Sequence, residues 1–85
     1  MNNNIENDIY FGEIVTIRQD RYGTYYGFIN DKNIPNDVFF HQNQSRLLDL
    51  SDMNIIGCTV TYKLMKDNLG RDMAKDVKLI GKNGT

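Results

Sequence analysis

The sequence predicts an all-β domain of five short strands closed into a small barrel. Three observations carry that prediction. β-Branched and aromatic residues fall in short runs separated by clusters of Gly, Asn and Asp. The single proline, Pro35, lies in one of those turn clusters and not within a run. Rings recur at alternate positions in two neighbouring runs, Tyr26 and Phe28, then Phe39 and His41. That spacing puts each pair on one face of a strand.

The elements follow in order. Residues 1–8 are polar and rich in Asn, and read as a disordered tail. Residues 10–18 form the first strand, in which Gly12 marks a bulge or a close backbone approach. Residues 19–23 are a hairpin loop ending in Gly23, and residues 24–30 the second strand. Asn33, Pro35 and Asn36 make residues 31–37 a turn cluster. Residues 38–42 are the third strand. Beyond it, Asn43 or Ser45 can cap one short helical turn reaching Leu48, with Leu47, Leu48 and Leu50 offering apolar contacts. The long connection continues through Gly57. Residues 59–65 alternate cleanly, Val60, Tyr62 and Leu64 against Thr61, Lys63 and Met65, as a half-buried fourth strand does. Residues 67–70 turn the chain into a fifth strand at 73–80, with Met73, Val77 and Leu79 on one face. Residues 81–85 read as a second flexible tail. One domain, residues 9–80, remains. Closing its strands removes the exposed sheet edges that invite aggregation. The expected form is a five-stranded antiparallel barrel of the oligonucleotide-binding (OB) type, with its long connection between strands three and four. An SH3-like barrel is the structural alternative.

Composition narrows the function. An 85-residue chain makes one domain and buries only about 60% of its unfolded surface, so the core is compact. The net charge of −1 argues against a strongly basic nucleic-acid binder. Cations nevertheless dominate the second half (Lys63, Lys66, Arg71, Lys75, Lys78, Lys82), which predicts one basic edge. The lone Cys58 excludes an intramolecular disulfide and supplies no cysteine-based zinc set, so it reads as a buried apolar residue. No apolar run approaches the ~18 residues that span a membrane, and no signal-peptide pattern opens the chain. A cytoplasmic monomer without cofactor is the expectation. Ser45 and Ser51 lie in a loop without a nucleophile motif, and the acids fall mainly in turns and tails without a paired catalytic arrangement, so no catalysis is expected.

The rings point to a binding role. Phe is more often core than surface. Yet Gly27, Ile29, Val38 and Phe40 alternate with the first set, and a two-layer barrel has one inside. The set Tyr26, Phe28, Phe39 and His41 is then left outside as a platform of the kind that stacks nucleic-acid bases. Arg18 and Arg21 flank the first hairpin loop. Arg71 precedes strand five in a loop that often meets ligand in such barrels, and Lys63 points away from the apolar face of strand four. These four are the phosphate candidates.

Four segments resemble the cold-shock domain family over roughly residues 12–79. The family's Gly-x-Val-Lys-Trp-Phe is matched by Gly12-Glu13-Ile14-Val15-Thr16-Ile17. Its Lys-Gly-Phe-Gly-Phe-Ile is matched by Thr24-Tyr25-Tyr26-Gly27-Phe28-Ile29, and its Val-Phe-Val-His-Phe by Val38-Phe39-Phe40-His41-Gln42. Ala-x-Asn-Val is matched by Ala74-Lys75-Asp76-Val77. Order and spacing agree, apart from about three extra residues in the first hairpin loop. The resemblance implies an OB barrel that binds single-stranded RNA or DNA and acts as an RNA chaperone. It places Ile17 and Gln42 at ring positions of the family's site. Thr16 stands where the family has tryptophan, Ile17 for a phenylalanine, Thr24 for a lysine and Gln42 for an aromatic. Each stacking ring is worth roughly 1–3 kcal/mol per base, so two lost rings lower affinity by about one to three decades. Tyr22 and Tyr25, in or beside the enlarged loop, are the candidate replacements. The alternative is a protein-interaction module using the same aromatic face.

Overall fold

The computed structural model describes residues 8–81. The expected tails at 1–7 and 82–85 lie outside the described residues. Among the described residues there are five strands: β1 (Tyr10–Gln19), β2 (Tyr25–Asn30), β3 (Val38–His41), β4 (Thr59–Lys66) and β5 (Asp72–Gly81). Each departs from its predicted ends by no more than one residue. Gly81 closes β5 instead of opening a tail. Among the described residues, no helix is long and apolar enough to cross a membrane.

The strands close in the order β1-β2-β3-β5-β4, with β4 returning to pair with β1. This is the arrangement of an OB-like barrel, but not a purely antiparallel one. β3 and β5 run parallel, through Phe39 with Met73 and Phe40 with Ala74. Parity requires it. A closed ring with an odd number of strands cannot alternate direction at every seam, so one seam must be parallel. Here it is the shortest of the pairings, since the bonds of a parallel ladder are slanted and slightly weaker.

Two bulges decide which side chains face inward. On β1, Ile14 pairs with Ile29 and Thr16 with Phe28, so Val15 is an extra residue. Ile14 and Ile17, three apart, therefore both enter the core. On β5, Lys78 pairs with Thr61 and Lys75 with Lys63, three steps against two. Asp76, in that interval, has φ +52°. The predicted common face of Met73, Val77 and Leu79 is broken there. Ala74 and Val77 join the core, Met73 sits outside it beside Phe39, and Leu79 is exposed. Asp tolerates the left-handed region better than most residues, because its short side chain bonds locally. We expect Asp76→Val to cost about 1–2 kcal/mol in urea unfolding and Asp76→Gly to be near neutral. Equal stability of the two variants would contradict this reading of the bulge.

The connection between β3 and β4 holds two 3-10 turns, Gln42–Gln44 and Met53–Ile55. The first starts earlier than expected and is capped by neither Asn43 nor Ser45. His41 Nδ1 accepts the Asn43 N–H at 3.1 Å instead. Ser45 is buried, its hydroxyl donating to the His41 carbonyl at 3.0 Å. Leu50, Ile55 and Cys58 plug the core from this segment, whereas Leu47 is exposed.

The remaining core is Ile29, Val38, Phe40, Val60 and Tyr62, with Leu64 packed against it, as alternation predicts. Gly12 fills the close-approach role. A Cβ there would strike Ile29 Cγ2 and lie 2.8 Å from the Asn30 carbonyl oxygen.

The Tyr62 hydroxyl donates to Asp31 Oδ2 at 2.6 Å inside the barrel, and Asp31 Oδ1 accepts the Asn33 N–H at 2.9 Å. Burial, and then the Asp31 carboxylate, push the Tyr62 pKa far above its ordinary 10.0. The fold thus holds Tyr62 protonated where the unfolded chain releases the proton. Its contribution is whole below pH 10.0 and declines as pH rises beyond it. Tyr62→Phe leaves a buried carboxylate oxygen without its donor, with an expected loss of about 1–3 kcal/mol at neutral pH. The alkaline decline in stability should flatten in the same variant. A variant as stable as the parent would show that water replaces the hydroxyl.

Candidate functional site

The site follows from the β2–β3 ladder. Tyr26 pairs with His41 and Phe28 with Phe39, so all four side chains leave the same side of the sheet. All four are partly exposed. The alternate set Gly27, Ile29, Val38 and Phe40 is buried. The three rings touch one another: Phe39 lies 5.8 Å from Tyr26 and 5.9 Å from Phe28, and Tyr26 lies 6.4 Å from Phe28, centre to centre. Tyr26 and Phe39 are tilted by 35°, and Phe28 stands edge-on to both. Edge-on contacts are favoured by the ring quadrupoles and fix the three as one unit.

β1 adds the border. Thr16 lies opposite Phe28 and Arg18 opposite Tyr26, so Arg18, singled out for flanking the hairpin loop, lies beside the rings. Ile17 is not. The Val15 bulge turns it inward, where it is 9% exposed and part of the core. Tyr25 does not fold over the platform either. It packs against the core, and its N–H donates to Gln42 Oε1 at 2.7 Å. Gln42 thus secures the strand end through its side-chain oxygen. Tyr22 is 81% exposed in the hairpin loop, with the Arg21 guanidinium 5.5 Å from its ring centre. Its ring pairs with none of the three platform rings, and with Arg21 it makes a cation–π unit. His41 keeps Nδ1 engaged with Asn43 as an acceptor, so the neutral ring carries its proton on Nε2.

The other end of the face is a groove of about 260 Å³ lined by Phe28, Phe39, Asp67, Arg71 and Asp72. It lies below the ~300–1,000 Å³ of small-molecule pockets and suits a single flat group. Asp67 organises this loop. Its carboxylate accepts the N–H of Leu69 and of Arg71, and pairs with Arg71 Nε at 2.8 Å. Those bonds, the Arg71 N–H first, hold the Asp67 carboxyl below its ordinary range. Arg71 is thereby aimed with its Nε committed and its terminal nitrogens without a partner among the described residues. Lys66 is tied to Asp72 at 2.7 Å. Lys63 is outward on β4, separated from the rings by β5.

The structure therefore unites Tyr26, Phe28, Phe39, His41, Arg18 and Arg71. It sets Ile17 and Tyr25 toward the core, and Tyr22, Arg21 and Lys63 at a remove. Met73 was not foreseen at this site. It sits beside Phe39, only 8% exposed, and continues the face toward Met65 on β4. The sequence carries no signal for that, because strict alternation groups Met73 with Val77.

No family model matches the chain, and comparison with curated proteins and with solved structures finds no match to either.

Proposed function

We propose that this barrel binds single-stranded nucleic acid by stacking bases on Tyr26, Phe28 and Phe39, as a divergent cold-shock-type module. The observation that carries the reading is the convergence of three touching rings and His41 on one outward face, bordered by Arg18 and Arg71. Stacking tolerates every base, since every base has a π-face, so sequence preference is modest. With only two arginines at the border, few phosphates are neutralised and the salt dependence is shallow. Weak, rapidly reversible stacking of this kind holds strands unpaired and releases them, which is the work of an RNA chaperone in the cytoplasm.

The test is titration with oligo-U and oligo-dT of about seven nucleotides, within the range one OB barrel accepts, followed by backbone amide shifts. Shifts centred on Tyr26, Phe28, Phe39 and His41 are expected. Silence at millimolar ligand would reject the reading and leave the same face to a protein partner.

A further inference from the structure

The bulge at Asp76 has a second consequence. Lys75 and Lys78 are three apart, so regular alternation would send them to opposite faces of β5. With the extra residue between them they share one. Lys75 pairs with Lys63 and Lys78 with Thr61, and Thr61 and Lys63 are two apart on β4. Lys63, Lys75 and Lys78 thus stand on one outward surface. Lys63 and Lys75 are direct cross-strand partners, an arrangement of like charges that destabilises a sheet. Neither they nor Lys78 has a salt-bridge partner among the described residues, where the ion pairs are Lys66 with Asp72 and Arg71 with Asp67.

This surface is continuous with the rings. Phe39 and Met73 are paired across the parallel seam, and Lys75 is the next outward residue after Met73. Strand spacing and rise put Lys75 on the order of 8 Å from Phe39, and Lys63 one strand farther. We infer that a single strand longer than the ring platform leaves it across the β3–β5 seam, with its phosphates running over Lys75, Lys63 and Lys78. The inference rests on the stacking reading and gives the bound strand an exit path. A polyanion is the ligand that relieves a like-charge pair, and a phosphate backbone supplies it in continuity with the stacked bases.

The test compares uridine oligonucleotides of about four and about twelve nucleotides on the parent and on Lys63→Gln/Lys75→Gln. The parent should bind the longer one more tightly than its extra registers alone explain. The double variant should lose about tenfold on the long strand, change less than twofold on the short one, and show a salt slope shallower by roughly 1.4 on the long strand, two contacts at about 0.7 each. Its thermal midpoint should equal or exceed the parent's, because the like-charge pair is gone, so a folding defect would be seen separately. A parent that binds the short strand, with a double variant unchanged on the long one, overturns this path and leaves the platform standing. Failure of the parent to bind either strand removes both. Equal competition by polyglutamate of matching length would assign the lysines to an acidic protein segment and overturn the path.

Discussion

Phe28→Ala/Phe39→Ala is expected to abolish measurable binding of short oligonucleotides while leaving a folded barrel. The two residues are cross-strand partners at the centre of the ring face, and both line the groove beside Arg71. Each stacked ring contributes roughly 1–3 kcal/mol per base, so the pair is worth about 30-fold to 10⁴-fold in affinity. The three rings touch, and the loss will not be the sum of the single variants. Neither side chain belongs to the inner core, so the cost in stability should stay near that of a cross-strand aromatic pair, about 0.2–1 kcal/mol. Fluorescence anisotropy with labelled oligo-U, together with urea unfolding, separates the two effects. Undiminished affinity in a folded variant would place the binding surface elsewhere on the barrel.

Gly27→Ala is expected to be the most damaging single methyl group in the domain. Gly27 lies between Tyr26 and Phe28, on the inward side of β2. A Cβ there would collide with the Thr16 carbonyl oxygen and lie 2.7 and 2.8 Å from the fully buried Phe40 ring. The first obstacle is backbone and part of the β1–β2 ladder, and the second has no free volume to enter. Overpacking of this kind typically costs about 1–3 kcal/mol, and a fixed backbone atom argues for the upper end. That is a large share of the ~5–15 kcal/mol that holds a small domain folded. The added Phe40→Leu change relieves the ring but not the carbonyl, so it should rescue the variant only in part. A urea midpoint for Gly27→Ala indistinguishable from the parent's would show that the two strands separate at little cost. Because Gly27 separates two platform rings, binding should weaken with stability in this variant and recover with it.

Much of the fold was legible because its code is local. Hydrophobic alternation in β4, the turn residues around Pro35 and the Gly23 and Gly70 turns are each set by neighbours in sequence, and the strands appear where those signals lie. The ring face was legible for the same reason. Tyr26 and Phe28, or Phe39 and His41, share a face through the two-residue period of a single strand. Phe40, Ile29 and Val38 then had to be the core, and they are.

Tertiary structure decided what depends on interruptions of that period. The extra residue at Val15 sent Ile17 inward and placed Thr16 and Arg18 beside the rings. The extra residue near Asp76 put Met73 outside, Val77 inside, and Lys75 and Lys78 on one surface. Val15 carries no compositional mark that distinguishes its bulge from regular strand, and Asp76 permits the positive φ of the other without fixing where the register shifts, because both serve the curvature that closes five strands into a ring. The parallel β3–β5 seam comes from closure too, as an odd ring requires one. The sequence by itself determined five strands, their order along the chain and a row of rings on two of them. Only the closed barrel decided which cations border those rings, since residues far apart in the chain meet through pairings that no local pattern records.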